Sequence, residues 1–131
     1  MFRFLFPLLI IISPFLPPGI IQGDFIADMS MFFKSGNSRE IAKNFNSTVE
    51  LSITNNGDVY SKAQAEQILR DFFVKHYATN ATIVHQINTN PNLRFGILNL
   101  ETRQGRYRVS ITSKKANNAF LITELRIDPE K

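Results

Sequence analysis

Histidine is the side chain best suited to moving protons near neutral pH, and this sequence of 131 residues holds two histidines and no cysteine. His85 stands in the segment TIVHQIN, where strand alternation places it on the face of Ile83 and Ile87 and predicts that it points inward. An inward imidazole oriented by an acid or a phenol is a candidate general base. The candidate catalytic set is His85, Tyr60, Tyr107 and Glu124. The alternative, which the sequence favours, is a core histidine that donates to a backbone carbonyl or to one of those side chains and does no chemistry.

Glu124 lies in the last apolar segment, FLITELRID, two positions before Arg126. Regular alternation places both on the face of Phe120 and Ile122. An inward acid and arginine would form a candidate site. The opposite face is the more apolar of the two, so we expect the pair to face solvent as a weak ion pair.

A basic stretch runs from Arg94 to Lys115 and contains one acid, Glu101. Arg106 and Arg108 alternate with apolar residues, which predicts that they share one strand face. The candidate ligand-binding residues are Arg94, Arg106 and Arg108, and the ligands they suit are an anionic glycan, a lipid head group or an acidic partner. The alternative is that this row is the solvated face of an antiparallel sheet.

Several chemistries are not expected. His76 and His85 lack the i, i+4 spacing of a helical zinc site, so we predict no metal site. The sequence contains neither G-x-S-x-G nor a glycine-rich phosphate loop, and we predict no cofactor. The net charge of +4 is a mild basic excess that argues for solubility more than for binding to nucleic acid.

The elements that must position these residues begin with helical spacing from Phe25 to Phe33, which Gly36 is expected to end. Asn37 and Glu40 indicate the start of a short second helix that carries Ile41 and Phe45. The segment STVELSIT alternates as a half-buried strand, and NNGD is predicted to be a turn.

The most regular helical pattern starts with Ser61 and Gln64 in capping-box spacing. One face of this helix carries the apolar stripe and a histidine, namely Ala65, Ile68, Leu69, Phe72, Phe73 and His76. Four strands follow, separated by the short turns TNPN, QG and ANN, which favour an antiparallel meander. The predicted fold class is α+β, with helices packed on one face of a curved, mainly antiparallel sheet.

The N-terminal segment has the pattern of a signal peptide. Arg3 provides a short positive region, residues 4–12 are apolar, and prolines then interrupt the run. We therefore predict a signal peptide over residues 1–23 and one domain over residues 24–131, exported to the periplasm or the cell surface. An uncleaved anchor remains the alternative, because the residues before Asp24 resemble an A-x-A site only loosely.

The segments FFKSGNSREIAKNFNSTVEL, GDVYSKAQAEQILRDFF and IVHQ, with the closing LRI, resemble an uncharacterised family of small exported Bacteroidota proteins, domain of unknown function 4783. The resemblance implies the nuclear transport factor 2-like superfamily, in which helices and a bent sheet enclose a conical cavity. In that fold the inward face of the sheet lines the cavity, where some similar proteins use a histidine with a carboxylate. The family has no assigned activity, so the resemblance carries over no catalytic residue.

We predict a small, exported, non-enzymatic binding or interaction domain. Its candidate partners are a small molecule or an anionic ligand in the cavity or on the sheet, and a second copy associating through the outer sheet face. The alternative is a small lyase or isomerase that uses a cavity histidine. Neither nucleic acid nor stable membrane insertion after cleavage is expected.

Overall fold

The computed structural model describes residues 24–131. In it, three helices pack on a six-stranded sheet. The predicted signal peptide lies outside the described residues. The helices are α1 (Phe25–Lys34), α2 (Ser38–Ala42) and α3 (Lys62–Lys75). The strands are β1 (Phe45–Ile53), β2 (Asn56–Ser61), β3 (Ala78–Ile87), β4 (Leu93–Thr102), β5 (Gly105–Ala116) and β6 (Ala119–Pro129).

The strands lie in the order β2-β1-β6-β5-β4-β3, and all neighbours are antiparallel except β1 and β6, which run parallel. The predicted α+β class and the antiparallel meander of the last four strands are confirmed. One strand was missed: within the NNGD segment Asn55 does lie in a turn, with φ 68°, but Asn56 begins β2, which pairs with β1 from Asn56 to Ser61. Within residues 24–131, no helix is both long enough and apolar enough to cross a membrane.

The junction between α1 and α2 follows from Gly36, which adopts φ +64° just after α1 ends. This left-handed position lets the Asn37 amide donate back to the Phe32 carbonyl oxygen at 2.8 Å. The Asn37 side chain then accepts from the Glu40 amide at 3.1 Å and caps α2. Phe45 does not belong to the second helix as expected, because the helix ends at Ala42 and Phe45 opens β1.

The start of α3 is a complete capping box. The Ser61 hydroxyl accepts from the Gln64 amide at 3.2 Å, and the Gln64 side chain accepts from the Ser61 amide at 3.1 Å. The predicted apolar stripe is confirmed, with Ala65, Leu69, Phe72 and Phe73 buried and Ile68 packed against the core.

The helices cover one side of the sheet, here called the helix face, and the other side is called the open face. The buried strand residues lie on the helix face, among them Val49, Leu51, Leu98, Leu100, Val109, Ile111, Leu125 and Ile127. Helix α1 packs on β3 and β4, whereas α3 packs on β1 and β2. The helix face is therefore divided between two helices, and a cavity lies beside each of them.

The sheet contains several register shifts, and two of them are β-bulges beside candidate site residues. In β3 the register steps from Ile83 opposite Leu98 to His85 opposite Ile97, so Val84 is an extra residue. In β6 the register steps from Ile122 to Glu124 while β5 advances by one residue, so Thr123 is extra. An inserted residue reverses the alternation beyond it, because strand side chains have a period of two.

Candidate ligand cavity

A cavity of about 380 Å³ lies between α3 and the β1–β2 hairpin, and we call it the α3 cavity. Its walls are Leu51, Ile53, Asn56, Tyr60, Ile68, Asp71, Phe72, Lys75 and His76. The apolar members come from β1 and from the packed stripe of α3, whereas the polar members come from β2 and the end of α3. Small-molecule sites combine apolar walls with polar groups that orient the ligand, and they measure about 300 to 1,000 Å³.

His76 is the polar side chain of the α3 cavity whose geometry is best defined. It is half-buried directly after α3, with its Nδ1 3.0 Å from the Phe72 carbonyl oxygen. A carbonyl oxygen only accepts, so Nδ1 carries the proton and donates. In the neutral ring Nε2 is then the nitrogen that can accept a hydrogen bond from a ligand.

Two aromatic rings fix the plane of that imidazole. The Phe72 ring stacks on His76 with centroids 4.4 Å apart and an interplanar angle of 17°. Tyr107 meets the same imidazole edge-on at 5.3 Å and meets Phe72 at 5.2 Å. A ring held by a backbone hydrogen bond, a stack and an edge contact loses little further freedom on binding a ligand, so His76 is preorganised.

The remaining polar groups give the cavity a mixed rim. Tyr60 is half-buried on β2, whereas Asp71 and Lys75 are exposed on α3. The Asp71 carboxylate already accepts a hydrogen bond from the Gln67 side chain at 3.2 Å. Among residues 24–131, no three His, Cys, Asp or Glu side chains are grouped so that they could hold a metal ion. Polar side chains from both β2 and the end of α3 can nevertheless form hydrogen bonds with a ligand in the cavity.

The structure separates the candidate catalytic residues onto opposite sides of the sheet. Tyr60 lines the α3 cavity and Tyr107 packs beside it. The prediction that His85 points inward is wrong, because the bulge at Val84 places His85 opposite Ile97 on the open face, where it is exposed. His85 and the two tyrosines therefore cannot act on one ligand.

Glu124 also lies on the open face, in register with Glu50 of β1. Its expected exclusion from the helix face is confirmed, but its predicted face partner Ile122 is fully buried on the other side of the sheet because Thr123 is bulged. The expected ion pair with Arg126 is not formed, since Arg126 contacts Asp128 instead at 3.3 Å.

The basic residues are divided in the same way. Arg106 and Arg108 share the open face, as expected, and Arg108 pairs with Glu130 at 2.9 Å. Arg94 alternates with Gly96 and Leu98 and so lies on the helix face. It pairs in register with Ser113, seven positions along β5 from Arg106. The three arginines consequently do not form one anion site.

His76 was missed as a site residue, although the sequence contained a signal for it. It occupies the i+11 position of the α3 stripe, where the stripe leaves the core and the helix ends. A polar residue at the exposed end of an apolar stripe stands where a cavity can open. The cavity itself was not predicted, because β2, the strand that supplies its opposite wall, was not recognised in the sequence.

The sequence and the fold are similar to those of known proteins. The family model for "Domain of unknown function (DUF4783)" matches residues 26–128. A crystal structure of a DUF4783 family protein from Bacteroides uniformis is 30% identical, with a TM-score of 0.78 over 82% of this chain and 99% of that chain.

More distant structures share the fold alone. A cystatin-like domain of unknown function from Nostoc punctiforme is 13% identical, with a TM-score of 0.64 over 86% of this chain and 76% of that chain. An NTF-2-like protein of unknown function from Silicibacter pomeroyi is 9% identical, with a TM-score of 0.57 over 80% of this chain and 89% of that chain. No functionally curated protein matches the sequence.

Proposed function

The chain belongs to the DUF4783 family, within the NTF2-like fold, and we propose that it is an exported domain that binds a small molecule in the α3 cavity without transforming it. The observation that carries the proposal is His76, an imidazole oriented by three contacts on the wall of a cavity of ligand size. The apolar wall suits a ligand with an apolar body. The free imidazole nitrogen suits a ligand that carries a hydrogen-bond donor.

Mass spectrometry of small molecules retained by the protein, purified from its native periplasm, tests the proposal. We expect one specific occupant. His76→Gln should lower its occupancy at sub-saturating ligand by up to about fivefold, because one hydrogen bond to a ligand contributes about 1 kcal/mol. Tyr60→Phe removes only the hydroxyl and tests the other half-buried polar group of the wall.

His85→Gln is the matched control, since the same substitution then falls on the open face, away from the α3 cavity. It should leave occupancy unchanged, and thermal melting of each variant reports whether the fold is intact. A wild-type protein that retains nothing contradicts the proposal. An equal loss of occupancy in the His85 and His76 variants contradicts it as well.

A second candidate is a small lyase or isomerase, which the presence of His76 and Tyr60 in one cavity favours. Here His76 would take the role first considered for His85, with Nε2 as the base. Binding without chemistry is preferred because a backbone carbonyl, and not a carboxylate, orients the imidazole. Incubating the identified occupant with the protein separates the two functions, because an enzyme converts it and a binding domain returns it unchanged.

Export of the chain and self-association through the open face stay predictions. The apolar residues Phe95 and Ile97 lie on the open face between the basic residues of β5 and the edge strand β3, a pattern that supports contact with a second copy. The mass of the mature protein from the native host tests export, with Asp24 expected as the first residue. Light scattering of the same sample tests self-association, and a monomer at high concentration contradicts it.

A further inference from the structure

A second cavity, of about 500 Å³, lies at the far end of the helix face, where α1 begins and the β5–β6 hairpin turns. We call it the hairpin pocket. Its walls are Phe25, Asp28, Pro91, Arg94, Lys115, Asn118, Ala119 and Phe120. It shares no lining residue with the α3 cavity, so it is a separate place for a ligand.

Arg94 is held in the hairpin pocket before any ligand arrives. One guanidinium nitrogen, Nη1, donates to the carbonyl oxygens of Asn90 at 2.8 Å and Leu93 at 2.9 Å. The guanidinium lies over the Phe120 ring at 4.3 Å from its centroid. The Arg94 backbone is also fixed, because the buried Ser113 hydroxyl donates to its carbonyl oxygen at 2.9 Å. Because these contacts already restrict the Arg94 side chain, binding a ligand costs little further conformational entropy.

These contacts involve Nη1 and the face of the guanidinium. The edge formed by Nε and Nη2 therefore remains available to a ligand. That edge presents two parallel N–H groups, which match the two oxygens of a carboxylate. The ion pairs among residues 24–131 include neither Arg94 nor Lys115, so both cations lack a protein carboxylate.

The charges of the pocket select the kind of anion. Arg94 and Lys115 contribute two positive charges and Asp28 contributes one negative charge, which leaves a net charge of +1. This balance suits a monoanion better than a phosphate dianion. The rest of the wall is largely apolar, and Phe25 and Phe120 lie with their centroids 6.0 Å apart. We propose that the hairpin pocket binds a monocarboxylate with an aromatic or apolar body, with Arg94 as the carboxylate-binding residue.

Nuclear magnetic resonance titration of the purified protein with phenylacetate tests this site, and phenylacetamide is the neutral ligand of the same shape. We expect saturable shifts of the backbone amides of Lys115, Asn118 and Phe120. The amide should bind about tenfold more weakly, because it loses the charge-assisted bonds. Absence of saturation at tens of millimolar phenylacetate, equal affinity for the two ligands, or shifts confined to the α3 cavity would each overturn the proposal.

Two substitutions at Arg94 separate binding from stability. Arg94→Gln should weaken phenylacetate binding by about tenfold or more, whereas Arg94→Lys keeps the charge, loses the planar fork and should show a smaller loss. Lys115→Gln lowers the pocket charge without touching the carbonyls that Arg94 holds. It should weaken binding by about threefold even if Arg94→Gln unfolds the protein.

Arg103→Gln is the matched control, because the Arg103 guanidinium also stacks on an aromatic ring, that of Tyr77 at 4.4 Å, but lies outside the pocket. Its affinity for phenylacetate should equal that of the wild type. A loss as large as that of Arg94→Gln would show that phenylacetate responds to general surface charge and would overturn the assignment. Occupancy of the α3 cavity is measured separately, so either site can fail without the other.

Discussion

Gly96→Val is expected to lower the free energy of unfolding by about 3 kcal/mol, at the upper end of the usual cost of overpacking a core. Gly96 lies in β4 directly under α1, and a Cβ atom placed there would come within 2.6 Å of Ile26 Cγ2 and 2.9 Å of Ile26 Cδ1. Ile26 is fully buried and cannot turn away, so α1 must move off the sheet. The better strand propensity of valine offsets less than 1 kcal/mol of this cost.

Chemical denaturation measures the effect, and a double-mutant cycle with Ile26→Ala identifies its cause. Ile26→Ala alone creates a cavity and costs about 2 to 5 kcal/mol. In the double variant the valine fills part of that cavity, so the combined loss should be smaller than the sum of the single losses by about 1 to 3 kcal/mol. Strictly additive losses would contradict direct packing of Gly96 against Ile26.

Phe33→Ala should cost about 3 to 5 kcal/mol, because it removes a large, fully buried ring. The Phe33 ring meets the Phe73 ring of α3 edge-on at 5.8 Å, so the substitution removes the aromatic contact between α1 and α3. A loss of this size approaches the whole stability of many small domains. The variant is therefore expected to be partly unfolded at 37 °C.

Met31→Ala is the control, since Met31 belongs to the same helix but is 66% exposed. Its free energy of unfolding should differ from that of the wild type by no more than about 0.5 kcal/mol. Urea titrations followed by circular dichroism compare the two variants. Similar midpoints for Phe33→Ala and the wild type would show that α1 and α3 do not share one core.

The helices could be predicted because each has a strong local signal. The α3 capping box and its apolar stripe are both present as the sequence indicates, and Gly36 ends α1 with the positive φ expected there. β2 lacked such a signal. It begins with three turn formers, Asn56 to Asp58, and only Val59 and Tyr60 favour a strand, so the segment forms one because β1 provides hydrogen-bonding partners.

The candidate site could be predicted only in part, because the alternation of a strand holds only while no residue is inserted. Val84 reversed the assignment of His85, and Thr123 separated Ile122 from Glu124. Neither residue differs in type from an ordinary strand residue, so the bulges follow from pairing with neighbouring strands and not from local preference. Of that candidate set, Tyr60 lines the α3 cavity, and the histidine that lines the cavity with it is His76 and not His85.

The parallel pairing of β1 with β6 has a consequence for how the chain acquires its structure. β6 is the strand that joins the β1–β2 hairpin to the meander of β3, β4 and β5, and Phe45 near the start of the domain pairs with Ile122 near its end. Such distant pairings are slow to form, because closing a long loop costs entropy before any contact compensates for it. A chain in which β6 is not yet paired therefore holds two unconnected pieces of sheet, and the six-stranded sheet is completed only when β6 joins them.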